Sequence, residues 1–328
     1  MPINQVHMRK IEDTRFLITG GAGFIGSNLV EHLLNKGAKK VVVLDNLSNG
    51  FYKNIELFIH HPAFQFIEGD IRNPLTCLKA CKDIDCVSHQ AALGSVKRSI
   101  ENPIDTNDVN ITGFLNMLIA ARDNGIKRFV YASSSSVYGD NQQLPKLEAF
   151  VGSPLSPYAV SKYTNELYAK VFALNFGMEM IGLRYFNVFG PKQNPLGSYA
   201  AVIPLFIQAI LKNESPIIKG TGEQTRDFTY IDNVLQANVL AMLTENEQAL
   251  NDVYNISAGG SASVKEILEM LAAIAAKNIT PIYIDLPKSE IVDSLADISK
   301  AKQKLAYTPT IHLEDGIRKT FEWYRNAD

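Results

Sequence analysis

The chain has 328 residues, 46% of them hydrophobic and 20% charged, with 32 Lys and Arg against 34 Asp and Glu. Ordinary apolar content with a net charge of −2 excludes intrinsic disorder, and balanced charge leaves no basic field for nucleic acid or an anionic membrane. At about 150 residues per domain the length suggests roughly two domains, and the expected partner is a small molecule.

The first half alternates short apolar runs with longer amphipathic segments. Strands are expected at Phe16–Thr19, Lys40–Asp45, Phe64–Glu68, Cys86–His89, Phe129–Ser133 and Met180–Tyr185. Helices are expected at Phe24–Lys36, Pro74–Lys82, Pro103–Asn124 and Pro157–Phe176. Continuous runs such as Val41–Leu44 suit strands buried on both faces, so the fold class is α/β, a Rossmann-type doubly wound parallel sheet. Beyond Gly190 the alternation loosens into a smaller α/β lid, with a strand-helix unit at Asp227–Thr244 and strands near Tyr254 and Ile282. In that unit Asp232 is expected to cap a helix starting at Asn233. The longest apolar stretch, Ala200–Leu211, has 12 residues and contains Pro204. It reads as a buried helix, too short for a membrane span. The first 15 residues carry charge and no apolar core, so no secretory signal and a cytoplasmic protein are expected. Cys77, Cys81 and Cys86 lack metal-ligand spacing, and no histidine joins them; free thiols are expected, no metal, and His89 reads as a core histidine.

Phe16 to Gly26 reads FLITGGAGFIG, a strand leading into a helix through glycines spaced GxxGxxG. Gly20 suits a tight turn, Gly23 a close approach of a pyrophosphate, and Gly26 close packing of helix on sheet, while the helix N-terminus offers free N–H groups. The second strand ends at Asp45, 19 residues after Gly26, placed to accept hydrogen bonds from ribose hydroxyls. A carboxylate repels a 2′-phosphate and no arginine follows in Asn46 to Asn49, so NAD is expected over NADP. Phe24 and Ile25 at the helix start, Asn46, Asp70 and Ile71 after the third strand, and Gln90, Ala91 and Ala92 after the fourth join the expected cofactor site. Asn110 and Tyr185 complete it.

The fifth strand runs into Ser133 to Ser136, then Val137-Tyr138-Gly139. Tyr158 and Lys162 stand four apart on a helix, hence on one face. A phenol of pKa about 10 is a poor base at neutral pH, but an adjacent ammonium stabilises its phenolate. The pair can then move the proton of an alcohol as a hydride leaves its carbon.

TGGAGFIG, SSSSVYG, YAVSK and LRYFNVFGP together resemble the extended short-chain dehydrogenase/reductases, over nearly the whole chain, and within them the nucleotide-sugar 4-epimerases that retain NAD. The resemblance implies Ser134, Tyr158 and Lys162 as catalytic residues, with Ser135 and Ser136 beside the sugar where related dehydratases carry an Asp-Glu pair. It implies Asn187 and Arg226 on the sugar diphosphate, against the alternative that Arg226 pairs with Asp227 or Asp232. AALGSVKRSI, GSYAAVIP and DSLADISKA are similar to the subgroup acting on N-acetylated sugars. Gly94 and Ser294 then leave room for a 2-acetamido group, and Gln193, Ala201 and Val202 line the same pocket. The implied reaction is interconversion of UDP-N-acetylglucosamine and UDP-N-acetylgalactosamine; uronic-acid forms, UDP-glucose, or a decarboxylase or dehydratase on the same scaffold are the alternatives. An NAD sensor or a reductase exchanging free NADH suits the catalytic residues and retained cofactor less well. The pattern departs from the family at Pro287-Lys288-Ser289-Glu290, where Glu290 is expected on the uridine ribose, at Val292 and at Lys97. The implied domains are 13–189 with 232–258 for NAD, and 190–231 with 259–328 for the UDP-sugar. A homodimer through the two long helices is the implied assembly.

Overall fold

In the computed structural model, residues 8–195, 200–285 and 293–327 are described. Glu290, Val292 and the Pro287–Ser289 departures lie outside them, as do Gly197, Ser198 and Tyr199.

Seven strands form one parallel sheet: β1 (Arg15–Thr19), β2 (Lys40–Asp45), β3 (Phe64–Glu68), β4 (Cys86–His89), β5 (Arg128–Ser134), β6 (Glu179–Tyr185) and β7 (Asp252–Ile256). Their order is β7-β6-β5-β4-β1-β2-β3. From β1 the chain builds outward to β3, then returns to β4 on the other side of β1. The crevice above β1 and β4 is therefore where the carboxyl ends of the strands can hold a ligand. Phe16 to Ile18 and Val41 to Leu44 are at most 2% exposed, which accounts for their unbroken apolar runs.

Helices cover both faces. On one, α1 (Phe24–Asn35) packs Leu29 and Leu33 against Ile18, Val43 and Val130. On the other, α2 (Pro74–Ala80) and two longer helices bring Cys77, Phe114, Leu118, Ala169 and Phe172 onto Leu17, Val42 and Phe129. The segment expected as one helix from Pro103 to Asn124 is instead three pieces. They are a short α4 (Pro103–Asn107), a π-helical turn at Asp108–Thr112, and α5 (Gly113–Asp123), preceded by α3 (Val96–Glu101). The wider turn carries Asn110 inward, as π-bulges often do beside functional sites.

α6 (Pro157–Phe176) has the bounds its sequence predicts. Ser156 caps it by accepting from Ala159 N at 3.2 Å, Pro157 takes the first position where no N–H is missed, and Gly177 ends it at φ 63°. After β6 the chain forms three small two-stranded pairings above the sheet edge: Val188–Phe189 with Thr229–Tyr230, Thr225–Arg226 with Ala262–Ser263, and Ile217–Lys219 with Ile282–Ile284. α7 (Val202–Leu211) buries Ile203, Phe206, Ile207 and Ile210. α8 (Ile231–Leu243) returns under the sheet and packs Val234 and Ala237 beside α1. It starts two residues before the expected Asn233, so Asp232 lies in its first turn and caps nothing; Tyr230 holds the cap position without a side-chain bond. α9 (Val264–Ala275), α10 (Ser299–Leu305) and α11 (Leu313–Ala327) complete the chain. Among the described residues no helix is long and apolar enough to cross a membrane.

Candidate active site

A cleft of about 460 Å³ opens above the carboxyl ends of β1 and β4. Its floor is the turn from β1 to α1. Gly20 sits at φ 69°, and a Cβ there would come within 2.7 Å of Ala91 N. A Cβ on Gly26 would lie 2.1 Å from Gly20 O, so only glycine lets α1 approach the strand this closely. Gly23 is the N-cap of α1 and supplies no side-chain bond, leaving the first N–H groups and the positive end of the helix facing the cleft. These features fit a dinucleotide: a side-chain-free cradle and unsatisfied donors where a diphosphate belongs.

Asp45 ends β2 in the wall, 8% exposed. Its carboxylate accepts from Ala22 N at 2.9 Å and Leu47 N at 2.8 Å, which fixes it on the glycine turn, and burial raises its pKa. Phe24, Ile25, Asn46, Asp70, Ile71, Gln90, Ala91, Ala92 and Tyr185 line the same cleft. Asp70 accepts from Asn46 Nδ2 at 2.8 Å and from Arg72, whose guanidinium holds its pKa down at about 2. Tyr185 donates to Gln90 Oε1 at 3.2 Å. Asn110 departs from expectation. It is 1% exposed and its amide is spent on Leu93 N (2.8 Å), Leu93 O (3.2 Å) and Ser161 Oγ (3.1 Å), so it braces the cleft loop against α6 from behind.

Tyr158 and Lys162 also line the cleft, on one face of α6. Lys162 is 2% exposed; its Nζ donates to Ala132 O at 2.8 Å and stands 5.9 Å from the centre of the Tyr158 ring. Burial lowers the ammonium pKa to about 8. Burial raises the Tyr158 phenol, while a hydrogen bond with Ser134 pulls it down. Phenol, ammonium and serine hydroxyl are thus assembled at the end of β5, the set needed to move one proton at a substrate oxygen. Ser134 Oγ accepts from Ser136 N at 3.2 Å, and the Ser136 hydroxyl is buried with no hydrogen-bond partner among the described residues. Ser135 follows β5 in the same turn.

Behind this group lies an ion pair absent from the sequence reading. Glu166, one helical turn beyond Lys162, accepts from Ser133 Oγ at 2.6 Å and from Arg184 Nε at 2.9 Å and Nη2 at 2.8 Å. Both charges are nearly buried, so α6 is bolted to β5 and β6 where the serines emerge. A periodic YxxxKxxxE pattern on α6 is the signal that could have pointed to Glu166.

A second cavity of about 290 Å³ adjoins the first and shares Ala200 and Ala201 with it. Asn187, Val202 and Arg226 line it; Gln193 and Gly94 line the first. The buried Gln193 Oε1 has no partner among the described residues. The acids weighed against Arg226 are engaged elsewhere. Asp227, fully buried, accepts from Ser257 Oγ at 2.7 Å and Ala296 N at 3.1 Å, and Asp232 faces Lys319 and His32. Ser294 stands outside both cavity walls. It is 8% exposed and accepts from Asn187 Nδ2 at 3.3 Å, which places it one side chain behind the second cavity. Glu290 lies outside the described residues.

His89 is a core histidine: buried, bonded to Thr19 Oγ1 at 3.0 Å, with burial lowering its pKa to about 3. The three cysteines are free and buried, their thiols pushed up to about 12. Two arginines that sequence reading missed border the cofactor cleft, Arg72 on Asp70 and Arg98 on Asn49. Neither follows β2 in sequence, so no local pattern announces them.

Comparison with known proteins agrees with this geometry. The family model "NAD dependent epimerase/dehydratase family" matches residues 16–257. A UDP-glucose 4-epimerase of Mycolicibacterium smegmatis is 34% identical over 314 residues, covering 95% of this chain and 99% of the relative. The UDP-N-acetylglucosamine 4-epimerase of Methanobrevibacter ruminantium, solved with UDP-N-acetylmuramic acid, superposes with a TM-score of 0.91 at 39% identity, over 96% of this chain and 99% of that one. The UDP-glucuronic acid 4-epimerase of Bacillus cereus, solved with UDP-glucuronic acid and NAD, gives 0.89 at 34% identity, over 96% and 100%. This chain belongs to the NAD-dependent epimerase/dehydratase family, within the extended short-chain dehydrogenase/reductases, and is an NAD-dependent nucleotide-sugar 4-epimerase.

Proposed function

We propose that the enzyme interconverts UDP-N-acetylglucosamine and UDP-N-acetylgalactosamine. The observation that carries the sugar assignment is the space at Gly94: among the described residues a Cβ there would meet nothing within 4 Å, in a cleft that shares Ala201 with the second cavity. A sugar carrying a 2-acetamido group needs such room, and the Gln193 Oε1 and Ser136 hydroxyl, buried and without a hydrogen-bond partner among the described residues, offer polar contacts to it. Likeness to a UDP-N-acetylglucosamine 4-epimerase over 96% of the chain supports the same reading.

In this reading residues 13–189 with 232–258 hold NAD, and 190–231 with 259–328 grip the UDP-sugar. NAD, when bound, accepts a hydride from the sugar C4 and gives it back. Tyr158 takes the proton of the 4-hydroxyl, with Ser134 sharing the bond to that oxygen and Lys162 stabilising the phenolate. Asn187 and Arg226 hold the diphosphate, the guanidinium fork suiting two phosphate oxygens, while the sugar turns to present its other face. The proton then returns from Tyr158 to the oxygen. We assign the protein to the cytoplasm, where its free cysteines stay reduced. We assign it a homodimeric state, because Ile104, Val160, Leu167, Val171 and Leu174 leave apolar side chains exposed along α4 and α6.

A panel of UDP-sugars tests the substrate. UDP-N-acetylglucosamine should exceed UDP-glucose in kcat/KM by roughly tenfold or more, the scale on which a fitted pocket group discriminates. Preference for UDP-glucose would overturn the assignment made from Gly94.

A further inference from the structure

The diphosphate of NAD carries about two negative charges, and a helix N-terminus supplies only about half a positive one. Asp45 adds negative charge to the same cleft, while that of Asp70 is balanced by Arg72. Among the described residues of its wall the cations are Lys162 and Arg98. Lys162 is committed to the Tyr158 end, bonded to Ala132 O. Arg98 stands at the other end, by a chain of short contacts. Its Nη1 donates to Asn49 Oδ1 at 2.7 Å. The next residue, Gly50, lies on the glycine turn, where a Cβ would be 2.8 Å from the Ala22 carbonyl carbon. Phe51 N and Asn54 Nδ2 both donate to Ala22 O, at 3.0 and 2.9 Å, and pin this loop to the turn.

The mounting of Arg98 is equally firm. α3 is capped by Ser95, whose hydroxyl accepts from Arg98 N at 3.3 Å and whose backbone holds φ 94°, in the region that favours glycine. The Leu93 backbone just before it is clamped by Asn110, which in turn bonds Ser161 on α6. A guanidinium on a rigid support thus bridges two segments far apart in sequence, across the cleft and beside the helix terminus where the diphosphate belongs.

We propose that Arg98 is a phosphate-binding residue of the NAD site and, bonded to Asn49, a latch across that site which slows release of the cofactor. The planar fork can meet a phosphate oxygen while keeping Asn49, because it carries five donors. Closure by a side-chain bridge lets a cofactor regenerated in every cycle stay bound between turnovers. The inference rests on NAD as the cofactor and is independent of which sugar is epimerised.

The test is release of bound NAD from the purified enzyme, chased with excess labelled NAD at low and high salt. Arg98→Gln should release NAD at least tenfold faster with a flatter salt dependence. Arg98→Lys should retain the salt dependence, since a charge remains, and release faster than wild type. Asn49→Ala should release faster and keep the salt dependence, because only the bridge is gone. Circular dichroism and melting of each variant confirm folding. Release from Arg98→Gln at the wild-type rate would overturn the proposal, as would unchanged NAD release together with weakened UDP binding by calorimetry. Failure of the wild type to epimerise any UDP-sugar would count against the proposed function and leave these release rates as the judge of the latch.

Discussion

Replacing Lys162 with methionine separates the catalytic role of the ammonium from its structural one, because the two respond in opposite directions. The Nζ lies 5.9 Å from the centre of the Tyr158 ring. With the delocalised phenolate charge placed at the ring centre, an effective dielectric of about 20 gives an attraction of about 3 kcal/mol. That is about 2 pKa units of support for the phenolate. Loss of the charge should cut kcat at pH 7 roughly 100-fold and move the rising limb of the pH-rate profile up by about 2 units. Stability should not fall in parallel. Burial lowers the ammonium pKa from 10.5 to about 8, so the unfolded chain binds the proton more tightly than the folded one. Lys162 therefore penalises the fold by about 3 kcal/mol at neutral pH, a penalty relieved as pH rises from about 8 to about 10.5. Methionine removes the buried charge and leaves Ala132 O without its donor, which costs about 1 kcal/mol. The variant should melt at or above the wild-type temperature near pH 7 while losing turnover. Rate profiles over pH at saturating UDP-sugar, with melts of the same preparations, read both. An unshifted rising limb would refute the electrostatic role of Lys162.

Two further outcomes follow from the geometry. Gly26→Ala places a methyl 2.1 Å from Gly20 O, backbone against backbone; the β1–α1 turn must open, and the protein should purify with little NAD and a lowered Tm, by absorbance and melting. Asp227 is raised by burial from 3.8 to about 6, so the folded chain keeps a proton that the unfolded chain releases. Its contribution of about 3 kcal/mol is present below pH about 4 and lost as pH rises through 6. Asp227→Asn should flatten that dependence, and wild type should gain on the variant in urea midpoint as pH falls from 7 to 5; parallel curves would count against it.

What was legible from sequence is what the chain writes locally. Buried strands announce themselves by runs such as Val41–Leu44, and the cofactor turn needs glycines whose spacing is set by one strand-helix junction. Tyr158 and Lys162 share a helix face by periodicity alone. Arg98 and Asn49, or Glu166 and Arg184, meet only after the sheet has formed, so no spacing rule finds them. Asn110 carries a residue type suited to a cofactor contact, yet the π-helical turn aims it at Leu93 and Ser161, a direction periodicity of 3.6 does not foresee. The small volume of Ser294 is legible in the sequence, but its contacts with Asn187 and Thr225 arise only in the fold. α9 does carry a local signal, the capping box of Ser263 and Glu266, set just after the glycines at 259 and 260.

The central claim is that one carbon of a UDP-sugar loses and regains the same hydride in this cleft while Tyr158 handles the proton. The direct measurement is incubation of purified enzyme with UDP-N-acetylglucosamine deuterated at C4, in ordinary water without added cofactor, followed by NMR of the products. The account predicts UDP-N-acetylgalactosamine with the deuterium still at C4. Product with C4 deuterium exchanged for solvent hydrogen would contradict it.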